Sequence, residues 1–221
     1  MQILSELSSG FLLGCVRVRP AMTREFKNRE IIYISRPAGT TCVVKRGYVR
    51  LVYIQQDGRP LTRMLLGKGA MFGDIPFRPG VFFINEQAIA SGLTSVIEVD
   101  RVALENEAIT APAFQASMLQ TLSAQYQALG RRLQWQLVSP LKKRIAFALV
   151  DLICFTGGRC GHGHLIDIRL TQEEFAELVV AARPVVSEVL GELRDEGIIE
   201  YTRSHLCLLS LDRLQMIADS P

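Results

Sequence analysis

The chain has 221 residues, of which 48% are hydrophobic and 21% charged, with a formal net charge of +3. That length suffices for one large domain or two small ones, each with its own core. No stretch is apolar over the ~18 residues that a membrane span needs, and the opening Met1–Pro20 lacks the basic segment that precedes the apolar part of a secretory signal, so a cytoplasmic protein with no membrane partner is expected. The charge is uneven: residues 1–139 hold 16 basic and 10 acidic side chains, whereas Pro140 onward holds 9 and 12, leaving +6 and −3. Five cysteines, at 15, 42, 154, 160 and 207, form no even or regularly spaced set and read as reduced thiols.

Residues 29–100 alternate in short β-rich runs. Glu30-Ile31-Ile32-Tyr33-Ile34 is followed by Thr41 to Gly47, where the glycine marks an end, and by Tyr48 to Ile54, which stops at the hairpin signal Asp57-Gly58. Leu61 to Leu66 returns, and Ala88-Ile89-Ala90 and Ser95 to Val99 complete the set. Short strands at ~8–12-residue spacing predict a sandwich or barrel.

From Pro112 the period changes. Met118, Leu122, Tyr126, Leu129, Leu133 and Leu137 recur at spacings of three and four, which predicts a helix of ~28 residues with one apolar seam, of the kind that pairs with a copy of itself. Packing of that stripe on the strand domain is the competing use of the same residues. Ser139-Pro140 then reads as a hinge and as the N-cap and N1 of a fresh helix, Leu141 to Phe155.

Residues 171–199 carry the densest set of signals. Thr171 with Glu174 forms a capping box, Phe175, Leu178 and Val179 make one apolar face, and a break follows at Ala181-Ala182-Arg183. Pro184 suits the first turn of a second helix, whose stripe is Val186, Val189, Leu190 and Leu193, and Gly197 ends it. Two helices too short to bury much alone predict a helix-turn-helix, which lays its second helix in the DNA major groove. Ile198 to Tyr201 and Leu206 to Leu209 read as the two strands of a wing around residues 202–205.

A strand-rich jelly roll, a long helix, a hinge and a winged helix in this order resemble the CRP/FNR family of bacterial transcription regulators. The likeness runs from about Phe26 to Met216, and rests on Val44-Lys45-Arg46-Gly47, on Gly69 to Asp74, and on Leu170-Thr171-Gln172-Glu173-Glu174 leading to Ala182-Arg183 and Val186-Ser187. Within the family, residues 141–170 look most like the global nitrogen regulators of cyanobacteria. The resemblance implies an α+β chain: an N-terminal double-stranded β-helix (jelly-roll) sensor domain over 1–110, a dimerisation helix over 111–138 with Met118, Leu122, Tyr126, Leu129 and Leu133 at the interface, and a winged helix-turn-helix domain over 139–221. It further implies a homodimer acting on double-stranded DNA, with RNA polymerase and an unknown small-molecule effector, or none, as further partners, and no enzymatic activity.

The sequence departs from the family at both sites. Cyclic-nucleotide-binding members carry a Glu after the Phe-x-Gly segment, then an Arg-Ser pair that neutralises and hydrogen-bonds the cyclic phosphate. The matching effector-pocket positions are Phe72, Gly73, Asp74, Ile84 and Asn85, and an isoleucine cannot compensate a phosphate, so cyclic AMP in the usual mode is not expected. Ile84 counts against oxoglutarate as well, and the apolar run 81–84 suits either a pocket that is dry, blocked or adapted to a hydrophobic ligand, or core packing, which is the expectation. Only Cys15 precedes the barrel, too few for an iron–sulfur cluster. His162, His164 and His205 all lie beyond the sensor segment. Cys154, Cys160, His162 and His164 have zinc-donor chemistry without a standard spacing, so neither metal nor cofactor is expected.

In the family, an Arg-Glu-x-x-x-Arg arrangement reads bases. Arg183 matches the first position and suits guanine O6 and N7. Pro184 and Glu188 replace the other two, and Glu188 can only accept, as from cytosine N4. Ser187 shares the groove face, Arg203, His205 and Lys143 are expected on phosphates, and Val185 and Thr171 complete the expected DNA-contacting set. A half-site unlike the family's common one, or weaker selectivity, follows. Pro184, Glu188 and the −3 charge also fit another class of function, an interaction or scaffold protein whose winged helix has lost specific DNA binding. An enzyme on a cupin-like barrel finds no support, because residues 29–100 contain no histidine.

Overall fold

The computed structural model describes residues 14–15, 17–19, 21–35, 38–77, 85–156, 158–161, 163–201 and 206–219. They fall into two compact units, Met1–Leu129 and Gly130–Pro221.

The first unit is an antiparallel jelly roll built on two strands of 15 residues. Strands β1 (Ala21–Phe26), β2 (Ile31–Tyr33), β3 (Thr40–Ile54), β4 (Pro60–Leu66), β5 (Met71–Gly73) and β6 (Glu86–Asp100) are ordered β1-β6-β3-β4, with β2 on β6 and β5 on β3. Asp57-Gly58 makes the expected hairpin: Gly58 takes a positive φ of 83°, Ile54 faces Pro60, and the Asp57 carboxylate accepts the Arg59 N–H at 3.0 Å.

Gly47 does not end a strand as its sequence context predicts, because β3 runs through it with register shifts between Val44 and Tyr48. Its φ is +77°, and a Cβ there would lie 2.4 Å from the Leu93 carbonyl oxygen, so glycine lets β3 bend against β6 while pairing continues. In the same way Ala88–Ala90 and Ser95–Val99 are one strand, not two, with Gly92 at φ +80° between them. The edge strand β1 and the short β5 escape the sequence pattern: β1 is mostly exposed, with Phe26 as its buried residue.

Successive residues of these strands serve two cores. Phe26, Cys42, Val44, Val49, Leu51, Leu66, Phe72, Ala88 and Val96 fill the roll. Their neighbours Val43, Met71, Ile97 and Val99 point the other way, onto Cys15, Val18, Leu104, Ala108, Phe114 and Met118. Leu104 and Ala108 belong to helix α1 (Arg101–Thr110), whose first turn is capped by Asp100 accepting the Ala103 N–H at 2.8 Å. Phe114 and Met118 belong to the 27-residue helix α2 (Pro112–Val138). Burial on both faces explains the continuous apolar run at Cys42–Val44. One turn beyond Leu122, the Gln125 side-chain amide pairs with Met71 of β5 in both directions, accepting its N–H and donating to its carbonyl, each at 2.9 Å.

The second unit comprises the last turns of α2 from Gly130, then α3 (Leu141–Thr156), β7 (Gly158–Cys160), β8 (Gly163–Ile166), α4 (Gln172–Val179), α5 (Arg183–Asp195), β9 (Ile199–Tyr201), β10 (Leu206–Leu208) and α6 (Leu211–Asp219). Its four strands are antiparallel in the order β7-β8-β10-β9. Ile145, Leu149, Phe175, Leu178, Val179, Val186, Leu190, Leu193, Ile198, Leu208 and Leu214 are buried. The interruption at Ser139-Pro140 separates α2 from α3 as predicted, but α3 opens at Leu141 and the Pro140 carbonyl accepts the Arg144 N–H at 3.0 Å, so Pro140 takes the N-cap place expected of Ser139.

Cys15 and Cys42 are fully buried core residues. Burial pushes each thiol up from 9.0 to about 12, so both stay protonated in the folded protein while an unfolded chain ionises near the ordinary value. Their contribution to stability is therefore complete below pH 9 and declines as pH rises toward 12. Peptide mapping after alkylation at pH 8 is expected to leave Cys15 and Cys42 unmodified in the native protein and to label both in denaturant.

Candidate nucleic-acid interface

Helix α4 starts where its local chemistry dictates. The Thr171 hydroxyl accepts the Glu174 N–H at 3.2 Å, and the Glu174 carboxylate accepts the Thr171 N–H at 2.7 Å and its hydroxyl at 3.0 Å. Phe175, Leu178 and Val179 are buried, as their spacing requires. The corner that follows is tight: Val180 is left-handed at φ 54°, ψ 56°, and Ala182 is extended at the start of α5. Pro184 occupies the first turn of α5, where its missing N–H costs nothing. Val186, Leu190 and Leu193 hold one side of α5 in the core, Glu196 is its C-cap, and Gly197 follows at φ 67°, matching the expected C′ glycine.

The opposite side of α5 faces solvent. Arg183, Pro184, Val185 and Glu188 are all exposed. Ser187 is half-buried, and its hydroxyl donates to the Gln172 Oε1 at 3.0 Å, an interhelical contact that brings Gln172 to the same surface. The sequence does not announce this contact, because the partner of Gln172 lies 15 residues away on another helix. Thr171 sits half-buried at the mouth of α4, and Lys143 is half-buried on α3. Arg203 and His205 lie outside the described residues.

The carboxylates near the C-terminal end of α5 are paired. Lys142 Nζ lies 3.0 Å from both Glu192 and Glu196, and these carboxylates, Glu192 foremost, hold the ammonium above its ordinary range. Arg213 donates to the Glu196 carbonyl at 2.7 Å, and Arg194 pairs with Asp195 at 2.9 Å. These contacts sit on the far end of α5, so its first two turns present Arg183 and Glu188, which have no ion-pair partner among the described residues.

Donors from outside the two helices converge on their corner. Arg132 and Gln136 of α2 both donate to the Leu178 carbonyl, at 2.7 and 3.2 Å, and Arg144 of α3 donates to the Val180 carbonyl at 3.2 Å. Between Arg132 and Gln136, Trp135 is buried and stacks on Phe147 of α3 with ring centroids 6.1 Å apart.

In the first unit, the residues matched to an effector pocket are structurally committed. Phe72 is core and stacks on Tyr33 at 6.0 Å. Gly73 takes φ +80°, and a Cβ would meet the Thr40 carbonyl oxygen at 2.9 Å. The Asp74 carboxylate accepts the Gly39 N–H at 2.9 Å and lies 3.2 Å from Arg101 Nε. Asn85 is exposed at φ 64° and its carbonyl takes the Ile54 N–H at 3.0 Å; Ile84 lies outside the described residues, as does the rest of 81–84. Beside Asn85, Glu86 is 2% exposed. It accepts the Tyr33 hydroxyl at 2.8 Å and pairs with Arg63, a cluster that no local pattern announces.

The seam residues divide. Met118 is buried in its own unit and Leu122 packs beside it. Tyr126, Leu129 and Leu133 are exposed, as are Leu119 and Leu137. Among the described residues no group of three metal-binding side chains occurs, and no helix is long and apolar enough to cross a membrane.

Residues 143–217 match the model of the Crp-like helix-turn-helix domain. The chain is 27% identical over 201 residues to the transcriptional regulator SdrP of Thermus thermophilus, covering 90% of this chain and 95% of that one. It is 23% identical over 189 residues to the global nitrogen regulator of Nostoc, covering 81% of each. A solved structure of a CRP-family transcriptional regulator, also from Thermus thermophilus, superposes with a TM-score of 0.76 at 26% identity, covering 89% of this chain and 97% of that one. Thr171→Ala is expected to lower stability by about 0.5–2 kcal/mol through loss of the cap, read as a lower urea midpoint at unchanged slope, with Thr171→Ser close to the parent.

Proposed function

We propose that the chain is a CRP/FNR-type transcription regulator with a helix-turn-helix DNA-binding domain, acting as a homodimer on an inverted-repeat site. The observation that carries this is the exposed first half of α5, with Arg183 and Glu188 unpaired among the described residues while the other face is locked into the core. Arg183 would donate to guanine O6 and N7, Glu188 would accept from cytosine N4, and Pro184 and Val185 would offer apolar contact to thymine methyl groups. Ser187 would act together with Gln172, whose amide it orients. Thr171 and Lys143, with Arg203 and His205, would contact phosphates and position the module without choosing a sequence.

The proposed division is a sensor domain over 1–110, a dimerisation helix over 111–138 and a DNA-binding domain over 139–221. Since Met118 and Leu122 are already committed to the first unit's core, the dimer seam would be carried by Tyr126, Leu129 and Leu133, extended by Leu119 and Leu137. Pairing of two such helices would set the recognition helices ~34 Å apart, one turn of duplex. Regulation by cyclic AMP in the usual mode is not proposed: Asp74 is held by Gly39 and Arg101, and the isoleucine at position 84 carries no charge to compensate a phosphate. Action in the cytoplasm and contact with RNA polymerase belong to the same reading.

Enrichment of the purified protein on random duplex pools at two salt concentrations tests it. Selection of an inverted repeat with a steep salt slope supports a specific regulator, and no retention even at low salt overturns it in favour of an interaction protein. Arg183→Ala is expected to cost about 1–3 kcal/mol on the selected site and to relax selectivity at one position. Native mass spectrometry should show twice the 24.6 kDa of one chain, and Leu133→Glu should shift that species toward the single chain.

A further inference from the structure

The corner between α4 and α5 is held in a conformation its own residues do not favour. Val180 is β-branched, and a β-branched residue at φ 54° is strained. Whatever holds this residue sets the angle at which α5 leaves the motif. The Leu178 carbonyl, two residues before Val180, and the carbonyl of Val180 itself find no donor within the helix, and donors from outside the motif take them: Arg132 and Gln136 on Leu178, Arg144 on Val180.

We propose that Arg132 and Gln136 are positioning residues for DNA recognition, clamping the left-handed corner so that the tail of α2 sets the pose of α5. Two observations converge on this. Arg132 and Gln136 stand one turn apart on one side of α2, with Trp135 buried between them against Phe147, so that side is docked rigidly within the second unit. Leu133 and Leu137, each one residue further on and so rotated by ~100°, remain exposed. Burial draws the Arg132 guanidinium down to about 10, with Asp151 opposing, which leaves it charged at neutral pH and its bond to Leu178 charge-assisted. The clamp neither touches DNA nor belongs to the recognition helix. It rests on the DNA-binding reading above, and it makes the helix that carries the exposed stripe also the helix that aims α5.

The test uses the full chain with Arg132→Met, Arg132→Lys and Gln136→Ala. Affinity is measured by anisotropy on the selected duplex and on a scrambled duplex, and amide exchange is followed across residues 178–186. Arg132→Met is expected to weaken the selected complex about ten-fold or more, to leave scrambled-duplex affinity and its salt slope unchanged, and to speed exchange at the corner. Arg132→Lys is expected to recover part of the loss, and Gln136→Ala to show the same pattern more weakly. Equal affinity of Arg132→Met and parent for the selected duplex overturns the clamp, as does equal loss on both duplexes with unchanged exchange at the corner. If Arg132→Met fails to fold, Gln136→Ala decides by the same ratio. If the parent itself selects no duplex, the DNA-binding reading fails by that result, and the clamp is then judged by corner exchange alone, where unchanged protection in both variants overturns it.

Discussion

A given face of a helix can be covered by only one neighbour at each height, and α2 has to meet several along a single length. In its first half Phe114 and Met118 enter the core of the first unit, with Leu122 beside them, and Gln125 closes on the backbone of Met71. In its last turns Trp135 stacks on Phe147 while Arg132 and Gln136 reach the end of α4. Leu119, Tyr126, Leu133 and Leu137 are left outside both commitments. At 3.6 residues per turn the two packed sets share one face and the exposed set is rotated from it by roughly 100° on average, which is why a single seam through positions 118 to 137 is too simple a description of the helix.

The jelly roll meets the same restriction with a different period. Because strand side chains alternate, β3 and β6 can line the roll with Val44, Leu51, Ala88 and Val96 while sending Val43, Ile97 and Val99 toward α1 and α2. The bend that makes this possible passes through Gly47 and Gly92, where positive φ turns the backbone without breaking the ladder. Within this interior Glu86 is paired with Tyr33 and Arg63, and Arg50 with Thr62 at 3.1 Å. Unpaired, each would carry a desolvation cost.

Charge, which argues against nucleic-acid binding when it is summed over the second half of the chain, reads differently once it is placed. Glu192, Glu196 and Asp195 are occupied by Lys142, Arg213 and Arg194 at the far end of α5, and Glu174 is spent on its own helix cap. These exposed pairs contribute little stability. Their consequence is local, since they tie these three carboxylates to cations at the far end of α5.

Relations within one turn were legible in the sequence. The capping box of Thr171 and Glu174, the proline that opens α5, the glycine that follows it, the Asp57-Gly58 hairpin and the break at Ser139-Pro140 all depend on residues a few positions apart, where steric and hydrogen-bonding preferences act without help from the rest of the fold. The same holds for the candidate interface as a set of types, with Arg183 and Glu188 on the outer side of a helix whose inner side is Val186, Leu190 and Leu193. Tertiary structure alone decided the rest. It joined β3 and β6 into unbroken strands, buried Met118 inside its own unit, brought Gln172 to Ser187, and set Arg132 on a carbonyl 46 residues away. Such contacts are chosen by what the packed chain leaves unsatisfied, and an open carbonyl or an uncovered strand edge has no signature in the order of residues until the elements have met.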